Sequence, residues 1–439
     1  MQIVDTAIAA IRAVIRAVIR AVIGAVIGCS VTFDARTIRP SFPALATGTA
    51  FFDGPGGTQT PISVGAAIAS TLTRPLSIRG TGSPSQQNAE DAVTGFRSAM
   101  ADLLGAEERG IVYGRSATQL TYDLARALSA DWGAGDEVVV TRLDHDANIR
   151  PWVQAADRAG ATVRWADFDP ATGELSAAHI AAVLGERTRL VAVTAASNLI
   201  GTRPQVSAIA RLAHSVGALL YVDGVHYTPH ASVDLAALGA DFFVCSAYKF
   251  FGPHCGILAA APTLLESIHP DKLVPSSDQV PERFELGTLP YETMAGVTAA
   301  VDFLSGLGDA REAGDGASAG TSRRDRLIRS ALALEHHEET LRGELEAGLA
   351  ELPKARLHSR AAARTPTVLV TFAGHAAADA SRLLAERGIL APAGSFYALE
   401  ASRHLGLGDD GGLRIGLAPY NTVDEVYRLL AALRDFVRG

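Results

Sequence analysis

The chain has 439 residues, of which 48% are hydrophobic and 20% are charged, and its formal net charge is −8. This length can bury a large core in two domains, and the composition is that of an ordinary soluble globular protein. The negative charge and the lack of a basic stripe with interleaved aromatic residues exclude a nucleic-acid surface. Cys29, Cys245 and Cys255 have neither paired nor C-x-x-C spacing. This spacing argues against a disulfide framework or a zinc site and favours a cytoplasmic location.

Residues 8–28 repeat the four-residue unit I-R-A-V and are long enough to span a membrane. Three arginines inside the repeat would each be costly near the centre of a bilayer, and they also interrupt the apolar region that a secretory signal needs. An interfacial amphipathic helix is a further alternative. We favour a low-complexity extension, residues 1–30, outside a fold that begins near Val31, and we expect no membrane contact.

The first predicted elements are separated by small-residue turns. Phe51 to Pro61 reads F-F-D-G-P-G-G-T-Q-T-P, which predicts a turn with unusual backbone angles, and Ala89 to Leu104 has the spacing of a core helix. Ile111 to Leu128 then predicts a short strand, a turn and a helix that begins near Thr118. Free N–H groups at a helix start form an anion site, although Ser116 and Thr118 are also ordinary N-cap candidates.

Strands and helices follow in turn along the next segment of the chain. The predicted strands and helices are Glu137–Thr141, Thr162–Trp165, Ile180–Leu184 (helix), Leu190–Thr194 and Pro204–Val216 (helix). The first strand ends in R-L-D-H-D-A-N-I-R-P-W, where a lone His145 is more often packed or solvated than functional. The third strand leads into A-A-S-N-L-I-G-T-R-P, where Asn198 alone is typical of an Asx-turn.

Two neighbouring strands carry the residues around which the chain is organised. The strand Leu219 to Val222 is followed by Asp223, and after a short helix at Leu235 to Leu238 the strand Asp241 to Cys245 is followed by Ser246 and Lys249. The side chains of Asp223 and Lys249 would project from the same edge of a sheet, where α/β folds bind ligands. A lysine that forms a Schiff base and an acid that protonates a pyridine nitrogen are what pyridoxal 5'-phosphate requires. Separately, the two residues would be a surface lysine and a helix N-cap.

The C-terminal third begins with a Gly/Ala/Ser/Asp-rich stretch, residues 306–324, which we predict to be a flexible insert. A long helix, strands and helices follow in an α/β arrangement: Asp325–Leu352, strand Thr367–Phe372, Ala376–Arg387, strand Gly412–Ile415 and Val423–Val437. Arg414 lies in the second of these strands, where a buried guanidinium is expensive unless it pairs with a carboxylate. An edge-strand arginine facing solvent is the weaker alternative.

The motifs V-D-G-V-H, which ends at His226, and S-A-Y-K-F-F-G-P, which begins at Ser246, resemble the cofactor-lysine region of fold-type I pyridoxal-phosphate enzymes. The closest resemblance is to class V aminotransferases, and within them to cysteine desulfurases and selenocysteine lyases, from about Phe52 to the C-terminus. It implies an α/β fold with a large domain, residues 31–305, around a mostly parallel seven-stranded sheet. A smaller α/β domain, residues 325–439, would follow, with residues 31–70 packing on it.

The resemblance also implies roles for single residues. Ala117 and Thr118 would hold the cofactor phosphate, while His145 would stack on the cofactor ring. Asn198 and His226 would lie near the phenolic oxygen, His226 replacing a glutamine that is common in desulfurases.

Further roles fall on the lysine region and the C-terminal half. Ser246 and Tyr248 would bond the phosphate beside the Schiff-base lysine, Lys249. The motif F-E-L-G-T-L-P-Y places Thr288 where the family reaches the phosphate of a neighbouring subunit, which implies a homodimer. Arg414 would bind the carboxylate of an amino-acid substrate.

The sequence departs from the desulfurase pattern in one respect. No cysteine lies between Leu390 and Arg414, where desulfurases carry the loop thiol that attacks the substrate sulfur. We therefore predict a desulfurase-like lyase that lacks this thiol, with a class V aminotransferase or an amino-acid epimerase as the alternative. A non-catalytic binding protein on the same fold would be expected to have lost Lys249 or Asp223, and neither is lost.

Overall fold

The structure is a computed structural model that describes residues 33–309 and 321–438. The predicted N-terminal repeat and most of the predicted insert lie outside these residues. Within them, no helix combines the length and the apolar character needed to cross a bilayer.

Fourteen helices are named here in chain order, within the described ranges. They are α1 Ala35–Ile38, α2 Ile62–Thr73, α3 Pro84–Leu104, α4 Ala117–Leu128, α5 Arg150–Ala159, α6 Ala177–Ala181, α7 Val206–Ser215, α8 Leu235–Leu238, α9 Pro262–Glu266, α10 Tyr291–Ser305, α11 Arg323–Ala350, α12 Ala377–Glu386, α13 Leu399–His404 and α14 Val423–Arg438. The predicted bounds of the helix Ile180–Leu184 are wrong, because α6 begins three residues earlier, at Ala177, and ends at Ala181. Ser176 and His179 form a capping box that starts α6 at Ala177.

The strands of the same residues are β1 Ala50–Phe51, β2 Ile111–Gly114, β3 Glu137–Thr141, β4 Thr162–Ala166, β5 Thr188–Thr194, β6 Leu219–Asp223, β7 Phe242–Ser246, β8 Gly256–Ala260, β9 Ala355–Leu357, β10 Thr367–Phe372, β11 Ile389–Leu390, β12 Ala393–Gly394 and β13 Gly412–Gly416. The predicted strands agree with these bounds to within one or two residues.

Seven strands form one large sheet in the order β2-β8-β7-β6-β5-β3-β4. The strands β7, β6, β5, β3 and β4 are parallel, and β8 runs antiparallel to both of its neighbours. The interior strands are apolar along their length because helices cover both faces of the sheet. The fold is therefore the predicted α/β arrangement, and the carboxyl ends of β3, β5, β6 and β7 meet at one edge.

A second sheet, in the order β12-β13-β10-β9, is antiparallel throughout. Its strands pack with α11, α12 and α14 around a separate apolar core that includes Leu345, Val368, Leu384 and Leu429. The segment before α2 joins this part of the molecule, because β1 pairs in parallel with β11. Helix α2 instead packs against α10, beside the large sheet.

Aromatic rings connect the two parts near the start of the described chain. The ring of Phe42 lies 5.2 Å from that of Phe251, 5.5 Å from Phe303 and 5.3 Å from Tyr420, each in an edge-on arrangement. Arg39 Nη1 also donates a 2.7 Å hydrogen bond to the carbonyl of Tyr420. Edge-to-face contacts of this kind add to the burial of apolar area, so this N-terminal segment stabilises the arrangement of the two sheets.

Substitution of Gly256 by alanine should disrupt the junction between β8 and α4. A Cβ at Gly256 would lie 2.3 Å from the carbonyl carbon of Ser116 and 2.4 Å from the nitrogen of Ala117. Since these are backbone atoms, the start of α4 must shift, and we expect a loss of about 2 kcal/mol or more in unfolding free energy. Denaturant titration measures the loss.

Gly65 provides the matched control for this experiment. It lies inside α2, and no atom would lie within 4 Å of a Cβ placed there. Gly65→Ala should stabilise the protein by up to about 1 kcal/mol through helix propensity. Equal stability of the two alanine variants would contradict the close approach at Gly256.

Candidate active site

A cavity of about 810 Å³ opens at the carboxyl edge of the large sheet. Ten of the eleven residues singled out from the sequence line it: Ala117, Thr118, His145, Asn198, Asp223, His226, Ser246, Tyr248, Lys249 and Arg414. The remaining one, Thr288, lines a different cavity of about 480 Å³ together with Tyr113, Arg115 and His254. The fold thus brings together residues that are up to 297 positions apart, from Ala117 to Arg414.

Lys249 ends a short 3₁₀ turn, Ala247–Lys249, that follows β7. Its side chain is buried, lies 4.9 Å from the centre of the Tyr248 ring and donates a hydrogen bond to the carbonyl of Pro55. Burial, assisted by the positive charge of Arg414, lowers the pKa of the Lys249 amine to about 7, against the opposing effect of Asp223. The amine is therefore neutral, and so nucleophilic, in a large fraction of molecules at neutral pH.

Asp223 is the last residue of β6 and is buried beside Lys249. Its Oδ1 accepts a 2.9 Å hydrogen bond from the backbone N–H of Val225. Burial raises the pKa of Asp223 to about 6, although this hydrogen bond and the Lys249 charge oppose the shift. A buried carboxylate of this kind is stabilised by a cationic N–H partner, which a protonated ring nitrogen would supply.

The start of α4 faces the cavity where β8 approaches it most closely. Ser116 is the N-cap and its side chain accepts a hydrogen bond from the N–H of Gln119. The first N–H groups of a helix, here at Ala117 and Thr118, lack intrahelical partners and attract anions. The hydroxyl of Ser246, at the end of β7, completes a set of neutral donors on this wall.

His145 caps a 3₁₀ turn, Asp146–Asn148, after β3. Its Nδ1 accepts a 3.0 Å hydrogen bond from the N–H of Ala147, so the neutral ring carries its proton on Nε2. Burial lowers the pKa of His145 to about 4, and the charges of Lys249 and Arg414 act in the same direction. The imidazole at this wall is therefore uncharged at neutral pH.

The turn that holds His145 depends on a buried polar network that the sequence did not reveal. Asp144 accepts a 2.6 Å hydrogen bond from Asn148 Nδ2 and another from the hydroxyl of Thr141. Trp152 Nε1 donates to Asn148 Oδ1 at 3.1 Å. Burial raises the pKa of Asp144 to about 8, its hydrogen bonds opposing the shift. The D-H-D-A-N-I-R-P-W motif thus encodes the support of His145 as well as His145 itself.

Arg414 and Asn198 meet on the side of the cavity that faces the smaller sheet. Arg414 Nη1 donates a 3.0 Å hydrogen bond to the carbonyl of Asn198, and the guanidinium carbon lies 3.6 Å from the centre of the Phe396 ring. Asn198 Nδ2 donates to the carbonyl of Phe396 at 2.9 Å. Burial lowers the pKa of Arg414 to about 9, opposed by the negative charge of Asp53.

His226 lines the cavity, but its Nε2 is hydrogen-bonded to two threonines at or just before β10 of the second sheet. It lies 3.1 Å from the hydroxyl of Thr365 and 2.9 Å from that of Thr367. Burial, followed by the neighbouring His230, lowers the pKa of His226 well below its usual range. The ring is therefore neutral and fixed in orientation by two threonines.

Several lining residues were not singled out from the sequence: Pro55, Gly56, Tyr122, Arg150, Gln154, Phe396 and Tyr397. The glycine-rich stretch around Pro55 was a usable signal, because it predicted a turn with unusual backbone angles. Arg150 and Gln154 are four residues apart on α5 and so share a face of that helix. No sequence feature marks Phe396 or Tyr397, which lie in the segment between Leu390 and Arg414 that contains no cysteine.

The chain resembles known proteins both in sequence and in structure. The family described as "Aminotransferase class-V" matches residues 50–320 and 328–429. A cysteine desulfurase of Dickeya dadantii is 32% identical over 366 residues, which cover 80% of this chain and 82% of that protein. The crystal structure of the cysteine desulfurase CsdA from Escherichia coli superposes with a TM-score of 0.80 at 25% identity, covering 93% of this chain and 99% of that one. A further structure, of C-DES with glycine covalently linked to the pyridoxal-phosphate cofactor, has a TM-score of 0.75 at 21% identity, covering 90% and 99%.

Together, the sheet order, the buried lysine at its carboxyl edge and the family match define a pyridoxal-phosphate-dependent enzyme of fold type I. Within that class, the chain belongs to the class V aminotransferase family and is similar to its cysteine desulfurases. The predicted fold class, family and cofactor are therefore confirmed.

The residues that line the cavity fit pyridoxal 5'-phosphate. Lys249 provides a buried amine of lowered pKa, Asp223 provides a buried carboxylate, and the start of α4 provides N–H groups for a phosphate. In addition, Asn198 Oδ1 is buried without a hydrogen-bond partner. An unpaired buried amide oxygen is costly, so a ligand with a donor or a bridging water at this point would stabilise the site.

The lowered pKa of Lys249 leads to a prediction for the cofactor-free protein. Reductive methylation of Lys249, followed by mass spectrometry, should increase with pH around a midpoint near 7. Because Arg414 lowers this pKa and Asp223 raises it, Arg414→Gln should move the midpoint upward and Asp223→Asn should move it downward. The exposed Lys354 is the internal reference for reagent activity. Shifts in the same direction for both variants would contradict the electrostatic account.

Proposed function

We propose that this protein is a lyase that cleaves the carbon–sulfur, or carbon–selenium, bond of an amino acid, with Lys249 as the residue that forms the Schiff base with the cofactor. The observation that carries the proposal is the Lys249 amine, buried in the cavity with a pKa of about 7 between Arg414 and Asp223. Similarity to cysteine desulfurases supports the choice of reaction.

The residues that would hold the cofactor follow from their chemistry. Ala117, Thr118 and Ser246 would bind its phosphate through backbone N–H groups and hydroxyls. Asp223 would keep the pyridine nitrogen protonated, and His145, which is neutral, would lie against the ring. Asn198 and His226 would contact the phenolic oxygen, and Tyr248 stands beside the phosphate donors. When bound, the cofactor supplies an electron sink that stabilises a carbanion at the substrate α-carbon.

The remaining residues would act on the substrate. Arg414 would bind the α-carboxylate through two parallel N–H groups, which fixes the amino acid in one orientation. Once the substrate amine has replaced it, the Lys249 amine would accept the α-proton as a general base, which its lowered pKa favours. The burial of both side chains excludes water and strengthens these interactions.

The loop between β12 and α13 bears on whether a protein thiol can accept the sulfur of the substrate. In this loop the chain carries S-F-Y rather than a cysteine, so no thiol is available there to accept sulfur. We therefore propose direct elimination. The Cβ–S bond breaks, the sulfur leaves with a proton as sulfide, and the remaining enamine hydrolyses to pyruvate and ammonium. No oxidant or reductant is consumed.

An aminotransferase or epimerase is the second candidate, and the missing loop thiol favours it as well, since neither reaction needs one. Both reactions use the same α-proton transfer by Lys249 and differ only in where a proton returns. A non-catalytic binding protein is the candidate of another class. It requires no reaction at Lys249, and the assay of products described next distinguishes it from the enzymes.

The purified protein should show a visible absorbance band that is lost in Lys249→Ala, because the Schiff base absorbs there. With L-cysteine it should release sulfide and pyruvate in equal amounts, measured by colorimetric and coupled assays. Lys354→Ala, which changes an exposed lysine away from the cavity, should behave as the wild type.

Other products would assign other activities. Alanine with sulfide and a required reductant would mean desulfuration through another thiol. A keto acid with loss of the visible band would mean transamination, and a racemised amino acid would mean epimerisation. A protein that binds the cofactor but yields none of these from a panel of amino acids would support a binding role.

We further propose that the protein works in the cytoplasm as a homodimer in which Thr288 reaches the phosphate site of the other subunit. Within the described residues, Thr288 and Lys249 line two separate cavities of one subunit. This separation favours contact of Thr288 with the phosphate site of another subunit. Ile62, Leu72 and Leu286 are 59–65% exposed, and such apolar surface is common at protein–protein contacts. Cys245 and Cys255 are free thiols, which fits a reducing compartment.

Thr288→Val, which keeps the side-chain volume but removes the hydroxyl, should weaken cofactor binding by about tenfold, the effect of one charge-assisted hydrogen bond. Equilibrium dialysis of the cofactor measures this, and sedimentation equilibrium should give a dimer for both proteins. Thr293→Val in the same cavity is the control and should bind the cofactor normally. A monomeric wild type with full cofactor affinity would contradict the proposal.

A further inference from the structure

The loop that follows β12 holds two consecutive residues in a left-handed conformation. Phe396 has a φ of 53° and Tyr397 a φ of 58°, which is unfavourable for residues with bulky side chains. Two hydrogen bonds from the large-sheet side hold them in place. Asn198 Nδ2 donates to the carbonyl of Phe396 at 2.9 Å, and the N–H of Asp146 donates to the carbonyl of Tyr397 at 2.7 Å.

This loop conformation lays the Phe396 ring on the flat face of Arg414. The guanidinium carbon is 3.6 Å from the ring centre, within the range of a favourable cation–π contact. Nη1 is already used, because it donates to the carbonyl of Asn198. Nε, in contrast, is buried and has no hydrogen-bond partner. The face and one edge of the guanidinium are therefore occupied, while the Nε–Nη2 edge keeps an unpaired donor.

A glycine, Gly56, lies next to this edge of the guanidinium. A Cβ added to it would come into van der Waals contact with Nη2, at 3.7 Å. A carboxylate binds an arginine in the guanidinium plane through two parallel N–H groups. A ring on the face does not compete with such an in-plane ligand. Phe396 thus restrains the guanidinium without blocking it.

We propose that Phe396 is a positioning residue that holds Arg414 for bidentate binding of an α-carboxylate and so makes the enzyme selective for amino acids over amines without a carboxylate. Phe396 would act through Arg414, while its backbone carbonyl would orient Asn198. The inference deepens the proposed function and rests on it. It also gives a purpose to the loop residues that stand where desulfurases carry a thiol.

The first test measures binding without turnover. Propionate, which has a carboxylate but neither an amine nor a thiol, is titrated into the holoenzyme, and broadening of its methyl proton resonance gives the dissociation constant. Phe396→Ala should weaken binding by about tenfold, in line with a desolvated cation–π contact. Phe396→Tyr should retain the affinity of the wild type, and Phe396→Leu, which keeps bulk without a π-face, should not. Thermal denaturation verifies that each variant is folded.

The second test compares substrates. Phe396→Ala and Phe396→Leu should raise KM for L-cysteine about tenfold with little change in kcat, because only carboxylate positioning is lost. Steady-state rates with cysteamine, which lacks the carboxylate, should be the same in wild type and variants. A fall in kcat with both compounds, or full affinity for propionate in Phe396→Leu, would overturn the inference.

Arg414→Gln separates this inference from the function on which it rests. If propionate binding is lost in Arg414→Gln but unchanged in Phe396→Ala and Phe396→Leu, then only the role of Phe396 is wrong. If Arg414→Gln binds propionate as the wild type does, then the carboxylate site itself is elsewhere, and both the inference and the assigned role of Arg414 fail.

Discussion

The structure depends on the burial of two basic groups, Lys249 and Arg414, in one cavity with few compensating charges. Removal from water lowers the pKa of both, and each lowers the pKa of the other groups around it, including His145. Asp223 beside Lys249 and Asp53 beside Arg414 offset only part of this positive charge, since burial raises the pKa of both carboxyl groups. A site of this kind is stabilised by anions. The proposed phosphate at one end and the proposed carboxylate at the other would both satisfy it.

The fold makes this arrangement possible by placing each group at the end of a rigid element. Parallel strands β6 and β7 deliver Asp223 and the Lys249 turn to one edge, and β13 of the second sheet delivers Arg414 from the opposite side. The close approach of β8 to α4, which only a glycine at position 256 permits, fixes the start of α4, where we propose that the phosphate binds. A substrate between Lys249 and Arg414 would lie between two sheets, so the relative position of the sheets affects every distance in the site.

Much of this could be predicted because the decisive residues sit in local patterns. An apolar strand followed by a single acid, or by S-A-Y-K, marks a strand end whatever the tertiary contacts are. The support for these residues is different in kind. Asp144 is recognisable as a buried hydrogen-bond acceptor only once Asn148 is seen to donate to it and Trp152 is seen to donate to Asn148 in turn. The contact of Phe396 with Arg414 joins residues of two elements through a left-handed loop, and no periodicity in the sequence encodes it.

The same loop bears on the proposed elimination. A loop that carried a sulfur-accepting thiol would have to approach the substrate and then move away with the sulfur. Here the loop is fixed at its tip by hydrogen bonds from Asn198 and Asp146 and by the Phe396 ring on Arg414. Contacts of this kind favour a constant geometry around Arg414. Under the proposed elimination the sulfur departs as a free small molecule, and a loop of constant geometry is compatible with that reaction.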